Sequence, residues 1–391
     1  MKVIFLLAYR NVLGAGLRTW LNVIALSIGI VLVIWMQGYI EGMMKFMISS
    51  KIDFEIGGGQ FIHKEYDKSD PLTINDSRGT PHLSVLNLIE EKVATPLLLV
   101  NGTFYPSGRS QTATFRGIEH DQSVLKIPSS EIVKNLDYIP AMIGSNMAKS
   151  SGLKVGDTVT IRWRDIEGTF DAADIEIVHI MNISSITLDR GQIWLNLSDL
   201  RKMMDSDSAT TIVVTSKGYK AAGADSSDFL YSSQEKLLED DLRAIEGQMG
   251  MAYIFYFIFM AMGLLAIFDT QVLALFKRRK EVGTLMSIGL NKTEIVTLFT
   301  IEGTIQGILA ILVGAIWGLP LFIFSSTVGI QMPEFVAEMG LPIGDSMYTY
   351  FSFGMVSTIL GVLLFSIVVV SYWPTRIMSN TKITDALKGK A

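Results

Sequence analysis

The sequence predicts an α-helical membrane protein with four transmembrane helices and an α+β extracytoplasmic domain inserted between helices one and two. Three observations predict it. Four apolar stretches without a charged residue are each long enough to cross a bilayer, basic residues mark alternate connections, and residues 41–248 carry short strand-like runs instead. Hydrophobic residues make up 49% of the 391 and charged residues only 18%, with a mean hydropathy of +0.38. That balance is nearer to membrane proteins than to soluble domains.

The apolar stretches Thr19–Ile40, Gly247–Phe268, Gly303–Pro333 and Ser346–Thr375 hold 22, 22, 31 and 30 residues. At about 1.5 Å of rise per residue even the shorter ones reach roughly 33 Å, enough for a hydrocarbon core of about 30 Å. Allowing for interfacial ends, the spans are placed at 19–40, 249–276, 295–324 and 347–373. Pro320 either kinks the third span or ends it. The first stretch is too long for the apolar core of a cleaved leader and lacks a small-x-small cleavage site, so it reads as an uncleaved anchor.

Basic residues set the orientation. Lys2, Arg10 and Arg18 precede the first span, while Lys277, Arg278, Arg279, Lys280 and Lys292 lie between the second and third. Arg376, Lys382, Lys388 and Lys390 follow the fourth, whereas the connection between the third and fourth carries only Glu334, Glu338 and Asp345. The positive-inside rule then puts 1–18, 277–294 and 374–391 in the cytoplasm, and 41–248 and 325–346 on the far side.

Several function classes are excluded or disfavoured. With no cysteine there is no disulfide, thiolate zinc site, iron–sulfur cluster or thiol nucleophile. A pI near 5.5 without a basic, aromatic-rich stripe argues against nucleic acid. His63, His82, His120 and His179 are scattered without metal-ligand spacing. Gly57-Gly58-Gly59 lacks the Lys-Ser/Thr of a phosphate-binding loop, so ATP is not bound here by that route. No nucleophile elbow or H-E-x-x-H occurs either. Asp269 and Glu302 fall at the inner ends of spans rather than in mid-membrane, which disfavours a proton-coupled secondary transporter. No catalytic residue, metal site or cofactor is therefore assigned to this chain.

In residues 41–248, β-rich runs recur at Thr112–Gly117, Thr158–Trp163, Asp174–His179, Ile193–Leu197 and Thr211–Thr215. Helical pieces are expected at Leu83–Val93, Ser145–Ser151 and Leu197–Met204, with a tight glycine turn over Gly152–Asp157 and a polar loop over Ala221–Asp228. A charged segment, Gln234–Gly247, reads as a helix leading directly into the second span.

Two features carry the functional reading. In the 277–294 loop, Val282, Leu285, Met286 and Gly289 fall at i, i+3, i+4, i+7, one face of a short helix with Glu281 near its positive end. Such a helix either lies on lipid or serves as a docking knob for a cytoplasmic partner. In the third span Gly303, Gly307, Ala310, Gly314 and Gly318 form a small-residue groove that permits close helix approach, either within the chain or to another subunit. Four spans leave little room for a sealed pathway, so a dimer or larger assembly is expected.

The motifs resemble those of the FtsX-like permeases, the group that includes lipoprotein-releasing and MacB-type ABC transporter subunits. Arg278-Arg-Lys-Glu281-Val-Gly283-Thr-Leu-Met-Ser-Ile-Gly289 is similar to the family's cytoplasmic loop, and Glu302-Gly303 to the opening of its third span. Ala8-Tyr-Arg10-Asn11 resembles its start, and Pro374-Thr-Arg376 with Thr384-Asp-Ala-Leu387-Lys its tail, departing at Met378 and Thr384. Ile143-Gly144-Ser145 with Ala148 and Gly152-Leu-Lys-Val-Gly156-Asp157 resembles a turn of the MacB-like periplasmic domain. Phe115-Arg-Gly117-Ile118-Glu-His-Asp121 is similar to another of its segments, with His120 in place of proline.

The resemblance implies a mechanotransmitting permease of the bacterial inner membrane, with both termini cytoplasmic and the large domain periplasmic. A separate cytoplasmic ATPase dimer, with its own ATP and Mg, would grip the helix Glu281–Gly289. Val282, Leu285, Met286 and Ile288 would make the apolar contact, Gly283 and Gly289 would belong to the same segment, and Glu281 would cap it or pair with the ATPase. The other implied partners are a second permease subunit (identical or related), a lipoprotein or other amphipathic substrate, a periplasmic carrier and membrane lipids. The favoured function is extraction of lipoproteins from the outer leaflet of the inner membrane. A MacB-type efflux permease and an FtsX-type regulator of peptidoglycan hydrolases are the alternatives.

Overall fold

The computed structural model describes residues 2–14, 16–132, 138–181, 191–219, 228–239, 279–331 and 346–379, with isolated positions between 242 and 276. These fall into two compact units, a helical one (1–43, 247–331 and 346–391) and an outer one built on 44–246. The chain begins with α1 (Lys2–Gly14) and α2 (Leu17–Lys51). The first apolar stretch stops at Ile40, yet α2 continues to Lys51 before a π turn, Ile52–Ile56. Leaving apolar sequence does not end a helix: Glu41 and Lys45 are tolerated, and the stop comes at Gly57, whose φ of 62° is left-handed.

The outer unit then follows as β1 (Gly59–His63), α3 (Leu83–Glu90), β2 (Ala94–Phe104), β3 (Gln111–Ile118) and β4 (Ile139–Gly144). Next come α4 (Ser145–Ser151), β5 (Thr158–Arg164), β6 (Phe170–Met181), β7 (Gln192–Asn196), α5 (Leu197–Met203), β8 (Ile212–Thr215) and β9 (Phe229–Ser233). All nine strands join one sheet in the order β3-β7-β4-β6-β5-β2-β8-β1-β9, and β3 also pairs with β2. The ring β2-β3-β7-β4-β6-β5 is therefore closed. Strand β2 makes closure possible by using both edges. One edge carries β3 over Leu97–Phe104, while the other carries β8 over Ala94–Leu97 and β5 over Gly102–Phe104.

Alternation along the strands fills the ring. Leu98, Val100, Phe115, Ile143, Ile161, Ile177, Ile193 and Leu195 form one buried cluster. Leu97, Leu99, Met142, Val178, Trp194, Ile212 and Val214, at alternate positions of the same sheet, belong to a second cluster on the other face. At Gly102 a Cβ would lie 2.2 Å from the Phe115 ring and 2.7 Å from the Arg162 carbonyl oxygen, so only glycine lets β2 cross there. The Gly152–Asp157 turn is present: Gly152 (φ 71°) closes α4, and Gly156 (φ 92°) leads into β5.

The helical unit is completed by α6 (Arg279–Ser287), α7 (Lys292–Thr327), a short antiparallel pair β10 (Ile330–Gln331) and β11 (Ser346–Met347), and α8 (Phe353–Ser379). Pro320 lies inside α7 and does not end it, since the helix runs on to Thr327. Among the described residues three helices are long and apolar enough to cross a membrane: Thr19–Ile56, Lys292–Thr327 and Phe353–Trp373. The second expected span, 249–276, lies largely outside the described residues. Of its isolated positions, Ile254, Phe257, Met262, Leu265 and Phe276 are helical and exposed. Also outside are residues 221–227 of the polar loop, most of 240–247, Lys277 and Arg278, the acidic residues between spans three and four, and the 380–391 tail.

Val23, Ile30, Val33 and Ile34 of α2, Ala310 of α7, and Ile359 and Leu363 of α8 form the buried seam of the helical unit. Outward-facing Leu32, Leu312, Ile316, Ile323 and Phe365 are exposed, as lipid-facing side chains are.

Candidate functional site

The 277–294 loop folds into α6 and a tight turn onto α7. Gly289 occupies the left-handed region (φ 109°), with Leu290 N–H donating to the Leu285 carbonyl and Gly289 N–H to the Met286 carbonyl, both at 3.1 Å. These paired bonds are a Schellman cap, which requires a residue at home at positive φ. Leu285 and Leu290, the two side chains such a cap brings together, pack with Met286 onto buried Ile295 and Phe299 of α7. Asn291 and Glu294 then form a capping box that starts α7, the Asn291 N–H donating to Glu294 Oε2 at 2.8 Å.

This geometry divides the residues expected to contact a partner. Leu285 and Met286 are half-buried against α7, and Gly283 is buried. Among the expected apolar contacts whose side chains are described, Ile288 alone is open, at 74% exposure, flanked by exposed Ser287 and Gly289. Glu281 and Val282 lie within α6, but their side chains fall outside the described residues. The described part of the apolar stripe, Leu285 and Met286, is thus covered within the chain by Ile295 and Phe299 of α7.

Beside the turn, an open groove of about 480 Å³ runs between the start of α7 and the end of α8. It is lined by Lys292, Thr293, Thr297, Thr300, Tyr372 and Arg376 among others. At the same end, Asn11 of α1 donates its amide to Glu302 of α7 at 2.6 Å.

The glycines of α7 face the chain's own helices. A Cβ at Gly307 would lie 2.9 Å from Ile367 of α8, at Gly314 3.3 Å from Val31 of α2, and at Gly318 2.8 Å from Val31. Gly303 is buried as well. Trp317 reinforces the α2 contact through its indole N–H to Ser27 Oγ at 3.3 Å. Two further close approaches escaped the sequence reading. A Cβ at Gly38 would meet the Phe351 ring at 2.1 Å, and one at Gly42 the Tyr348 carbonyl oxygen at 2.0 Å. Their G-x-x-x-G spacing, which straddles the end of the first apolar stretch, was the available signal.

A bundle of membrane helices with a large β-rich domain following the first is the build of an ABC transporter permease. Residues 19–226 match the MacB-like periplasmic core domain and residues 253–383 the FtsX-like permease C-terminal domain, and the chain belongs to this permease family. It is 23% identical over 265 residues to the lipoprotein-releasing system transmembrane protein LolC of Xylella fastidiosa strain Temecula1, covering 61% of this chain and 63% of that protein. The LolC of strain 9a5c is 22% identical over the same coverage. The match thus spans less than two thirds of the length of these relatives. Among solved structures, the periplasmic region of MacB from Actinobacillus actinomycetemcomitans is similar with a TM-score of 0.32 and 12% identity, over 47% of this chain and 93% of that one. The extracellular domain of the transporter YknZ from Gram-positive bacteria gives 0.25 and 13%, over 43% and 84%.

Proposed function

We propose that this chain is the transmembrane subunit of an ABC transporter that relays ATP-driven motion from a separate cytoplasmic ATPase dimer to its outer domain. The carrying observation is α6, one face of which is seated on α7 through Leu285 and Met286 while its capped end presents Ile288. A knob held this way moves with α7 when a partner pushes it, which a helix merely lying on lipid would not do. Glu281 caps or pairs at its entry, and Val282 extends the contact. A second permease copy, identical or related, completes the membrane assembly, both termini are cytoplasmic, and the outer domain stands in the periplasm.

The substrate favoured is a lipoprotein taken from the outer leaflet of the inner membrane, with a periplasmic carrier receiving it. The likeness to two LolC proteins supports this reading. The match of the outer domain to the MacB-like family supports efflux of peptides or small molecules as the second reading. Purification with the native ATPase, followed by mass spectrometry of what is retained, separates them: acylated proteins support release, and their absence with bound peptides or small molecules supports efflux. Failure to recover any ATPase would count against both.

A further inference from the structure

The outer unit contains a pocket that the relay does not use. It has a volume of about 230 Å³ and lies between the π turn after α2, strands β1, β2, β3 and β8, and the helical residues after β9. Ile56, Ile62, Leu97, Ile212 and Leu237 supply apolar wall. Its charged lining is Arg116, Lys68 and Lys236 against the single carboxylate of Glu55, an excess of two positive charges. Glu55 is already engaged, by Lys51 at 2.9 Å and Lys68 at 3.6 Å.

Arg116 is the exceptional member. It is only 8% exposed, and its Nε is buried without a hydrogen-bond partner among the described residues. In β3 it stands directly opposite Trp194 of β7 and Leu99 of β2, and its guanidinium lies over the Trp194 ring at 5.3 Å. That stacking fixes the plane of the guanidinium without using its N–H donors. The Glu55 carboxylate lies within electrostatic reach of Arg116 but leaves its Nε without a hydrogen bond. A buried donor left unmade is costly, and a planar guanidinium matches an oxyanion.

We propose that this pocket binds an oxyanion, phosphate or carboxylate, carried by a small amphiphile, with Arg116 as its principal donor and Lys68 as a second positive group. The apolar wall takes the first carbons of the ligand, and the volume limits the site to a head and a short stem. The proposal stands independently of the transport cycle above.

The test is calorimetric titration of the full chain in dodecyl maltoside at fixed ionic strength, with inorganic phosphate, octanoate and dihexanoyl-phosphatidylglycerol as probes and dihexanoyl-phosphatidylcholine as the zwitterionic control. Saturable binding is expected for at least one anionic probe, weakened about tenfold or more in Arg116→Gln and less in Arg116→Lys, as loss of a charge-assisted hydrogen bond demands. Should Arg116→Gln fail to fold, Lys68→Gln, an exposed position, carries the test with an expected several-fold loss. Binding of phosphatidylglycerol in competition with phosphate assigns a lipid head, and binding of phosphate or octanoate alone assigns a free anion; both outcomes support the site. No saturable binding of any anionic probe, equal binding of phosphatidylcholine, or unchanged affinity in the folded variants overturns it.

Discussion

Asn11 and Glu302, 291 positions apart, meet at 2.6 Å, the amide of α1 donating to the carboxylate of α7. Each belongs to a motif that looked local in the sequence, the A-x-R-N start and the E-G opening of the third span. Their contact ties the first helix to the base of the helix that also carries α6. Glu302 is 5% exposed, and a buried carboxylate near the bilayer is tolerable only with donors around it. Asn11→Leu removes one of them and is expected to cost about 1–3 kcal/mol. Thermal unfolding in micelles checks this, and Glu302→Gln, which can still accept the amide, should cost less. Equal stability of Asn11→Leu and wild type would show that the contact contributes nothing.

The division of α6 into a seated and an open side predicts two different phenotypes. Ile288→Asp should leave expression and unfolding temperature unchanged while abolishing capture of the ATPase. Leu285→Asp should lower the unfolding temperature as well, because it puts a carboxylate against Ile295 and Phe299. Co-purification and thermal unfolding, run side by side on both variants, make the comparison. Identical behaviour of the two would mean that the helix has no such division.

Close helix approach predicts that glycine-to-alanine changes in this unit differ in sign. At Gly42 the new methyl would sit 2.0 Å from a backbone oxygen, which cannot swing aside, whereas at Gly361 there is nothing within 4 Å. Gly361→Ala in mid-helix is expected to stabilise by about 0.5–1 kcal/mol, and Gly42→Ala to destabilise by about 1–3 kcal/mol. Unfolding midpoints of the two variants in the same detergent decide it; a tolerated Gly42→Ala would contradict the packing of Tyr348 on α2.

His63 gives the outer unit a pH dependence. It is buried, edge-on to Phe229 with ring centroids 5.4 Å apart, and its Nδ1 accepts from the Glu65 N–H at 3.3 Å. Burial lowers its pKa below the ordinary imidazole value, and Lys64 adds to this while Asp228 and Glu65 oppose it. Because the unfolded chain holds the proton more readily, this contribution is fully present above about pH 6.5. It is lost as pH falls through the lower folded value. Wild type should therefore lose more stability between pH 7.5 and 5.5 than His63→Gln does. Parallel pH profiles for both would exclude His63 as a source.

How much of this was legible beforehand depends on what each residue faces. The first, third and fourth spans were, because lipid asks only for length and apolarity. The five expected strand runs all lie in or across strands of the sheet, since each is a short β-rich run bounded by turn residues. Strand β2 was not read, although it closes the ring, because its Leu97-Leu98-Leu99-Val100 core is buried on both faces and shows no period of two. Strand β4, buried from Pro140 to Gly144, was missed for the same reason. The stripe on α6 was legible as a stripe, but periodicity does not say what covers it, and α7 does. Nor does a motif reveal that its arginine is buried: Arg116 earns its place only through register with Trp194.

The relay itself is tested most directly by one cross-linking measurement. The chain contains no cysteine, so Ile288→Cys introduces a single thiol. In native membranes with the ATPase co-expressed, a short bifunctional reagent should join this thiol to the ATPase with a yield that changes between ATP-trapped and nucleotide-free states. The opposite finding, no adduct to any cytoplasmic ATPase together with labelling of the same thiol from the periplasmic side, would contradict the account at its root.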